Sequence, residues 1–133
     1  MSNIYMLDTN ICSYIIKENP KVVIEKFWEH REDELVISSI SNAELLYGAI
    51  RKGSPRIIGL VKVFTSRMRI IDFDEKAGEF YADMRALLEK KGTPIDNMDI
   101  LIAACAKSAG AILVTNNKKH FSKIPNLKIE NWC

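Results

Sequence analysis

Short apolar runs alternate with segments of helical period from one end of this chain to the other, and few architectures satisfy that alternation. Each apolar run is followed by enough chain to cross back over a sheet. The pattern therefore predicts an α/β domain, with a four- to five-stranded, mostly parallel sheet flanked by helices on both faces. Ile4 to Leu7 reads as the first strand, and Asn10 is placed to cap a helix toward Ile16, with Asp8 as the alternative cap. Pro20 opens a helix through about His30, whose buried side would comprise Val22, Val23, Ile24, Phe27 and Trp28. A charged turn from Glu29 to Glu34 leads to a strand at Leu35 to Ile37 and a helix from Asn42 to about Lys52. Next come a helix from Arg56 to about Arg67, a strand from Arg69 to Asp72 or Phe73, and a long helix capped by Asp74. Ala77, Phe80, Tyr81, Met84, Leu87 and Leu88 form one apolar stripe along it. Asp96 would cap a helix to about Ser108 that ends at Gly110, before a strand from Ala111 to Val114 and a weak fifth at Leu127 to Ile129.

At 133 residues and 47% hydrophobic, the chain is long enough for one core and too short for two, so residues 1–133 read as a single domain. The longest clear apolar run, Ile100 to Ala106, has seven residues, well below the ~18 of a membrane helix. It fits a helix buried on most sides. Met1-Ser2-Asn3-Ile4-Tyr5 has no basic segment followed by an apolar one, which gives the expectation of no signal peptide and a cytoplasmic location. Cys12, Cys105 and Cys133 lack any metal-ligand spacing and are expected to be free thiols.

In open parallel sheets function gathers at the carboxyl ends of the strands. Asp8 directly follows the first strand, Glu44 lies early in the helix after the second, and Asp96 and Asp99 open the helix that leads to the fourth. Asn116 and Asn117 follow that fourth strand. Four acids from distant segments would thus share one rim, where without a cation they repel one another. A hard divalent ion takes oxygen ligands, and such an ion can activate water and neutralise charge on a phosphoryl group. Helix capping accounts for some of these acids singly: Ser41-Asn42-Ala43-Glu44 fits a capping box, and Asp96 suits an N-cap. Neither His30 nor His120 has a Ser or Cys in a triad setting. An aspartyl-nucleophile phosphatase would want a second Asp where Asn10 stands.

The ordered set Asp8-Thr9-Asn10, Ser39 with Glu44-Leu45-Leu46-Tyr47-Gly48, Asp99-Ile100-Leu101-Ile102-Ala103-Ala104 and Leu113-Val114-Thr115-Asn116-Asn117 resembles the PIN domain. More narrowly it resembles the VapC toxins of VapBC toxin-antitoxin pairs. Arg85, the run Lys91-Gly92-Thr93-Pro94-Ile95 and the ending Ile129-Glu130-Asn131-Trp132-Cys133 extend the likeness over essentially the whole chain. The resemblance implies a Mg²⁺-dependent endoribonuclease, with Mn²⁺ as a substitute, in which Asp8, Glu44 and Asp99 are the catalytic, metal-binding acids. Asn10, Thr115, Asn117 and Asp96 would support them. Many relatives carry a fourth acid where this chain has Asn117, an amide without charge. The same feature keeps open a non-catalytic PIN-like module that binds RNA or protein. The resemblance further implies a VapB-type antitoxin, a toxin homodimer, operator DNA bound only through the antitoxin complex, and a tRNA substrate, with initiator tRNA cut in its anticodon region.

The formal net charge of only +2 hides an uneven distribution. Leu45 to Ile71 holds six basic residues and no acid, and Ile100 to Ile129 holds five and no acid. Without the four rim acids, 19 basic residues face 13 acidic ones. Basic surface on either side of an acidic pocket would place an RNA backbone over the site. Arg85, Lys118 and Lys119 are the candidate substrate-binding cations, and His120 is expected to be an exposed bystander.

Overall fold

The computed structural model describes residues 3–133; Met1 and Ser2, on which the signal-peptide reading partly rests, lie outside the described residues. The elements run β1 (Ile4–Leu7), α1 (Thr9–Lys17), α2 (Lys21–Glu29), β2 (Glu34–Ser38), α3 (Ser39–Lys52), α4 (Pro55–Ser66) and β3 (Arg69–Ile71). They continue with α5 (Glu75–Lys90), α6 (Asn97–Ala109), β4 (Ile112–Val114), α7 (Lys118–Phe121) and β5 (Ile129–Glu130). The five strands form one sheet in the order β3-β2-β1-β4-β5, every pair parallel. The chain builds outward from β1 on one side and then returns to β1 on the other, so the strand order reverses between β1 and β4. A crevice opens at the carboxyl ends of strands at such a reversal.

Alternation along the strands divides the core into two layers. Tyr5, Leu7, Ile37 and Val114 point to a cluster with Ile11, Cys12, Val23, Leu45, Ala49 and Val61. Met6, Val36 and Leu113 point the other way, to Ala77, Met84, Leu88 and the buried side of α6. Helices therefore cover both faces. Ile100 and the run Ile102 to Ala106 are buried, as the apolar heptapeptide required. The last turn of the chain is also part of the core: Trp132 is 1% exposed, stacks on His30 at 4.7 Å and donates its indole N–H to Glu130 Oε1 at 3.0 Å.

Several local readings change. Asp8, not Asn10, caps α1, its Oδ1 accepting from the Ile11 N–H at 2.9 Å. Helix α3 begins at Ser39 rather than Asn42, because the Ser38 hydroxyl takes the Ser41 N–H at 3.0 Å. That removes the capping box from Glu44. Val22 (41% exposed) and Trp28 (61%) do not join the buried side of α2; Val23 alone on that helix is fully buried. The short helix α7 has no apolar period of its own and was not foreseen. Asp74 and Asp96 cap α5 and α6 as expected, accepting from Ala77 and Met98 N–H at 2.9 and 2.8 Å.

Candidate active site

Asp8 sits at the strand-order reversal itself. Its backbone N–H donates to Val114 O at 3.0 Å, which extends the β1–β4 ladder past both strands and fixes the residue between them. Its side chain is 5% exposed. Burial pushes the carboxyl up to about 6, hydrogen bonds from Thr115 and the Ile11 N–H pull it partly back, and the charges of Asp99 and Glu44 push it up again.

Asp99 reaches the same crevice from the first turn of α6, where the helix N-terminus favours a negative charge. Its carboxyl is also raised, first by burial, then by Asp96, with a contribution from Glu44 and opposition from His120. Glu44 projects from the second turn of α3, and its Oε1 accepts from the Thr9 hydroxyl at 2.5 Å; that hydroxyl also lies 3.1 Å from Ser41 Oγ. The charges of Glu44 and Asp99 thus both act on Asp8, although 91 positions separate Asp8 from Asp99 in sequence. They do not form a closed cage. Among the described residues no three His, Cys, Asp or Glu side chains stand together at metal-ligand spacing, and Glu44 is turned toward Thr9. The expectation that all three reach one ion as they stand is not met.

The donor set nevertheless suits a hard divalent cation. A nearly inaccessible carboxylate, repelled by two others, is stabilised by a positive charge, and Mg²⁺ is commonly held by one or two carboxylates with water completing its octahedron.

Thr115 is fully buried, and its Oγ1 accepts from the Asn117 N–H at 3.0 Å, which shapes the turn after β4. Asn117 in turn places Nδ2 2.9 Å from His120 Nδ1, and that nitrogen lies 3.8 Å from Asp99 Oδ2. His120 is therefore part of the site and not a bystander. The spacing Asn117-x-x-His120 on one helical turn was the available signal. Thr9, which holds Glu44, was also missed as a contributor. Asn10 and Asp96 are exposed at the rim.

Lys118 and Lys119 are exposed on the single turn of α7 that also carries His120, Asp99's neighbour. Arg85 bonds within its own helix, to Tyr81 Oη at 2.8 Å and Glu89 at 3.2 Å, and pairs with none of the three acids among the described residues. A groove of about 580 Å³ starts at Thr9, Asn10 and Glu44 and leads between α1, α3 and α4 to Lys17, Lys52 and Arg56. Part of the first acid-free stretch accordingly borders the acidic site.

The PIN domain family model matches residues 5–127. The tRNA(fMet)-specific endonuclease VapC of Salmonella typhimurium is 41% identical over 130 residues, covering 97% of this chain and 98% of the relative. Ribonuclease VapC2 of Rickettsia felis is 44% identical over 135 residues, with 97% and 98% covered. Among solved structures, a chain of the Rickettsia felis VapBC2 complex bound to a promoter DNA fragment superposes with a TM-score of 0.91 at 43% identity, covering 98% of this chain and 99% of that one. The DNA-bound VapBC complex of Salmonella typhimurium gives 0.91 at 40% identity with both chains covered completely. With the strand-order reversal, the buried Asp8 and the coupled Glu44 and Asp99 all in place, the chain belongs to the PIN-domain family, among its VapC members.

Proposed function

We propose that this chain is the toxin of a VapBC-type pair, an endoribonuclease that needs Mg²⁺, or Mn²⁺ in its place, and cuts initiator tRNA in the anticodon region. The observation that carries the reading is the buried Asp8 at the β1–β4 crevice, on which the charges of Glu44 and Asp99 both act. The likeness to a tRNA(fMet)-specific endonuclease supports the substrate. Likeness to chains of VapBC complexes, some on promoter DNA, supports a VapB-type antitoxin partner and operator binding through that complex. The toxin is a homodimer in this reading.

Asp8 and Asp99 would hold the ion, with Glu44 swinging from Thr9 to join them or to hold a water. When bound, the ion lowers the pKa of a coordinated water and offsets negative charge developing on the phosphodiester. Thr115 and the Ile11 N–H keep Asp8 in one rotamer, so little reorganisation is needed during reaction. Lys118 and Lys119 receive backbone phosphates beside Asp99, and Lys52 and Arg56 extend that surface along the groove.

Incubation with initiator tRNA and Mg²⁺ should give one principal cut with a 5′-phosphate end, lost on adding EDTA and lost in Asp99→Asn. RNA that binds but stays intact under both Mg²⁺ and Mn²⁺ would replace the nuclease with the binding-module reading that Asn117 leaves open. The Lys118→Ala/Lys119→Ala double variant should weaken RNA binding evenly across sequences. It should also flatten the dependence of log K on log salt by about 2, one for each phosphate no longer neutralised.

A further inference from the structure

We infer that the groove over Gly48 is a nucleoside subsite, in which the base next to the cut phosphodiester lies across α3. The inference rests on the ribonuclease reading above. It starts from a glycine that the fold does not explain. Gly48 stands in the interior of α3, where glycine is less favourable than alanine. Its φ is not positive, unlike those of Gly53, Gly92 and Gly110, so no backbone turn requires it. No neighbour crowds it either: a Cβ at that position would meet nothing within 4 Å. The open space is the groove itself, which Gly48 lines together with Glu44 and Lys52. These three residues follow at steps of four, so one stripe of α3 carries an acid, a gap and a cation over about 12 Å.

The walls suit a base with phosphates beside it. Ile16, Ile57 and Leu60 give the groove an apolar side, and Leu60 remains 40% exposed. Asn10 and Ser13, three positions apart on one face of α1, offer an amide and a hydroxyl to the edge of a base. Lys17, Lys52 and Arg56 line the far end, where Glu18 is the one acid, and among the described residues none of the three forms an ion pair. Unneutralised cations grouped in this way favour a polyanion. The groove opens at Glu44, so a strand whose cut phosphate lies at Asp8 and Glu44 continues into it. Its base then rests over Gly48, and its next phosphate falls to Lys52 and Arg56. Any side chain at position 48 takes space from that nucleoside.

Gly48→Ala and Gly48→Leu test the assignment, with Gly59→Ala as the control, because Gly59 in α4 meets the same open space but lies outside the groove. All three variants should melt at or above the parent's midpoint, since each replaces a helix-interior glycine. On initiator tRNA with Mg²⁺, Gly59→Ala should keep the parent's kcat/KM, Gly48→Ala should lose part of it, and Gly48→Leu should lose about tenfold or more. A stem-loop RNA with an abasic residue placed in turn on each side of the cut identifies the occupant. On one side it should bind the parent about fivefold or more weaker than the intact stem-loop, and Gly48→Leu should bind the two alike. Undiminished cleavage by Gly48→Leu overturns the subsite, and so does a lower melting midpoint in Gly48→Ala, which would make the glycine a requirement of packing. Unchanged cleavage joined to weaker binding of a VapB-type antitoxin would give the gap to a peptide and also overturn it. A parent that binds the stem-loop without cutting it fails the ribonuclease reading instead, and the abasic comparison, read by binding, still decides the subsite.

Discussion

Asp8→Asn is expected to abolish RNA cleavage and, in metal-free buffer at neutral pH, to make the protein more stable. The loss of activity should be at least about 10²–10³-fold, the scale of removing one group placed to manage transition-state charge. The gain in stability follows from proton linkage. The folded carboxyl titrates near 6 and its ordinary value is 3.8, so between those two values the unfolded chain gives up its proton first. Stability therefore falls as pH rises through that window, and above it the native state carries the whole cost of a buried charge, roughly 2–3 kcal/mol. Asparagine keeps an oxygen for the Ile11 N–H and carries no charge, so the cap survives and the cost disappears. Thermal melts should place the variant above the parent by several degrees at pH 7.5 and level with it near pH 4. Mg²⁺ should raise the parent's midpoint and leave the variant's nearly unchanged, closing the gap. A parent more stable than the variant at pH 7.5 without metal would mean that Asp8 is not held as a buried, repelled carboxylate.

Trp132→Ala should cost roughly 3–5 kcal/mol, a large part of the stability of a domain this size. The indole fills space against Tyr5 and His30, at ring separations of 6.0 and 4.7 Å, and its N–H is bound by Glu130. Truncation opens a cavity beside β1 and removes one hydrogen-bond donor from that carboxylate. Trp132→Phe keeps most of the packing and should lose only about 1–3 kcal/mol, mainly the hydrogen bond to a charged group. Urea denaturation followed by circular dichroism measures both. Equal losses in the two variants would assign the stability to the hydrogen bond instead of the ring.

The sheet and its order of elements were legible because apolar alternation is a property of consecutive residues. Ile4 to Leu7, Leu35 to Ile37 and Ala111 to Val114 are short, apolar and bounded by polar turns, so their strands differ from expectation by a residue or so. Helix starts were less legible. Asp8, Asn10, Ser38 and Ser41 are all competent caps, and which one serves is decided by where the strand releases the chain. The convergence of Asp8, Glu44 and Asp99 was readable from strand ends alone, since crossover connections return to the same rim. The rotamers at that rim were not. Glu44 bonds to a hydroxyl 35 positions away in sequence, and His120 approaches Asp99 only because α7 folds back after β4. Trp28 shows the converse: helical spacing placed it with apolar neighbours, but Val23 alone of α2 is fully buried and Trp28 stays 61% exposed.

The strand order also governs when this enzyme can exist during its own synthesis. β1 is the central strand, yet one of its two neighbours, β4, is made more than a hundred residues later. A nascent chain that has emerged only through α5 can pair β1 with β2 and β3 but lacks Asp99, Thr115 and the wall that buries Asp8. Such long-range closure comes late in folding. The ribosome that makes this chain is therefore not exposed to its cutting activity until translation of the domain is nearly finished.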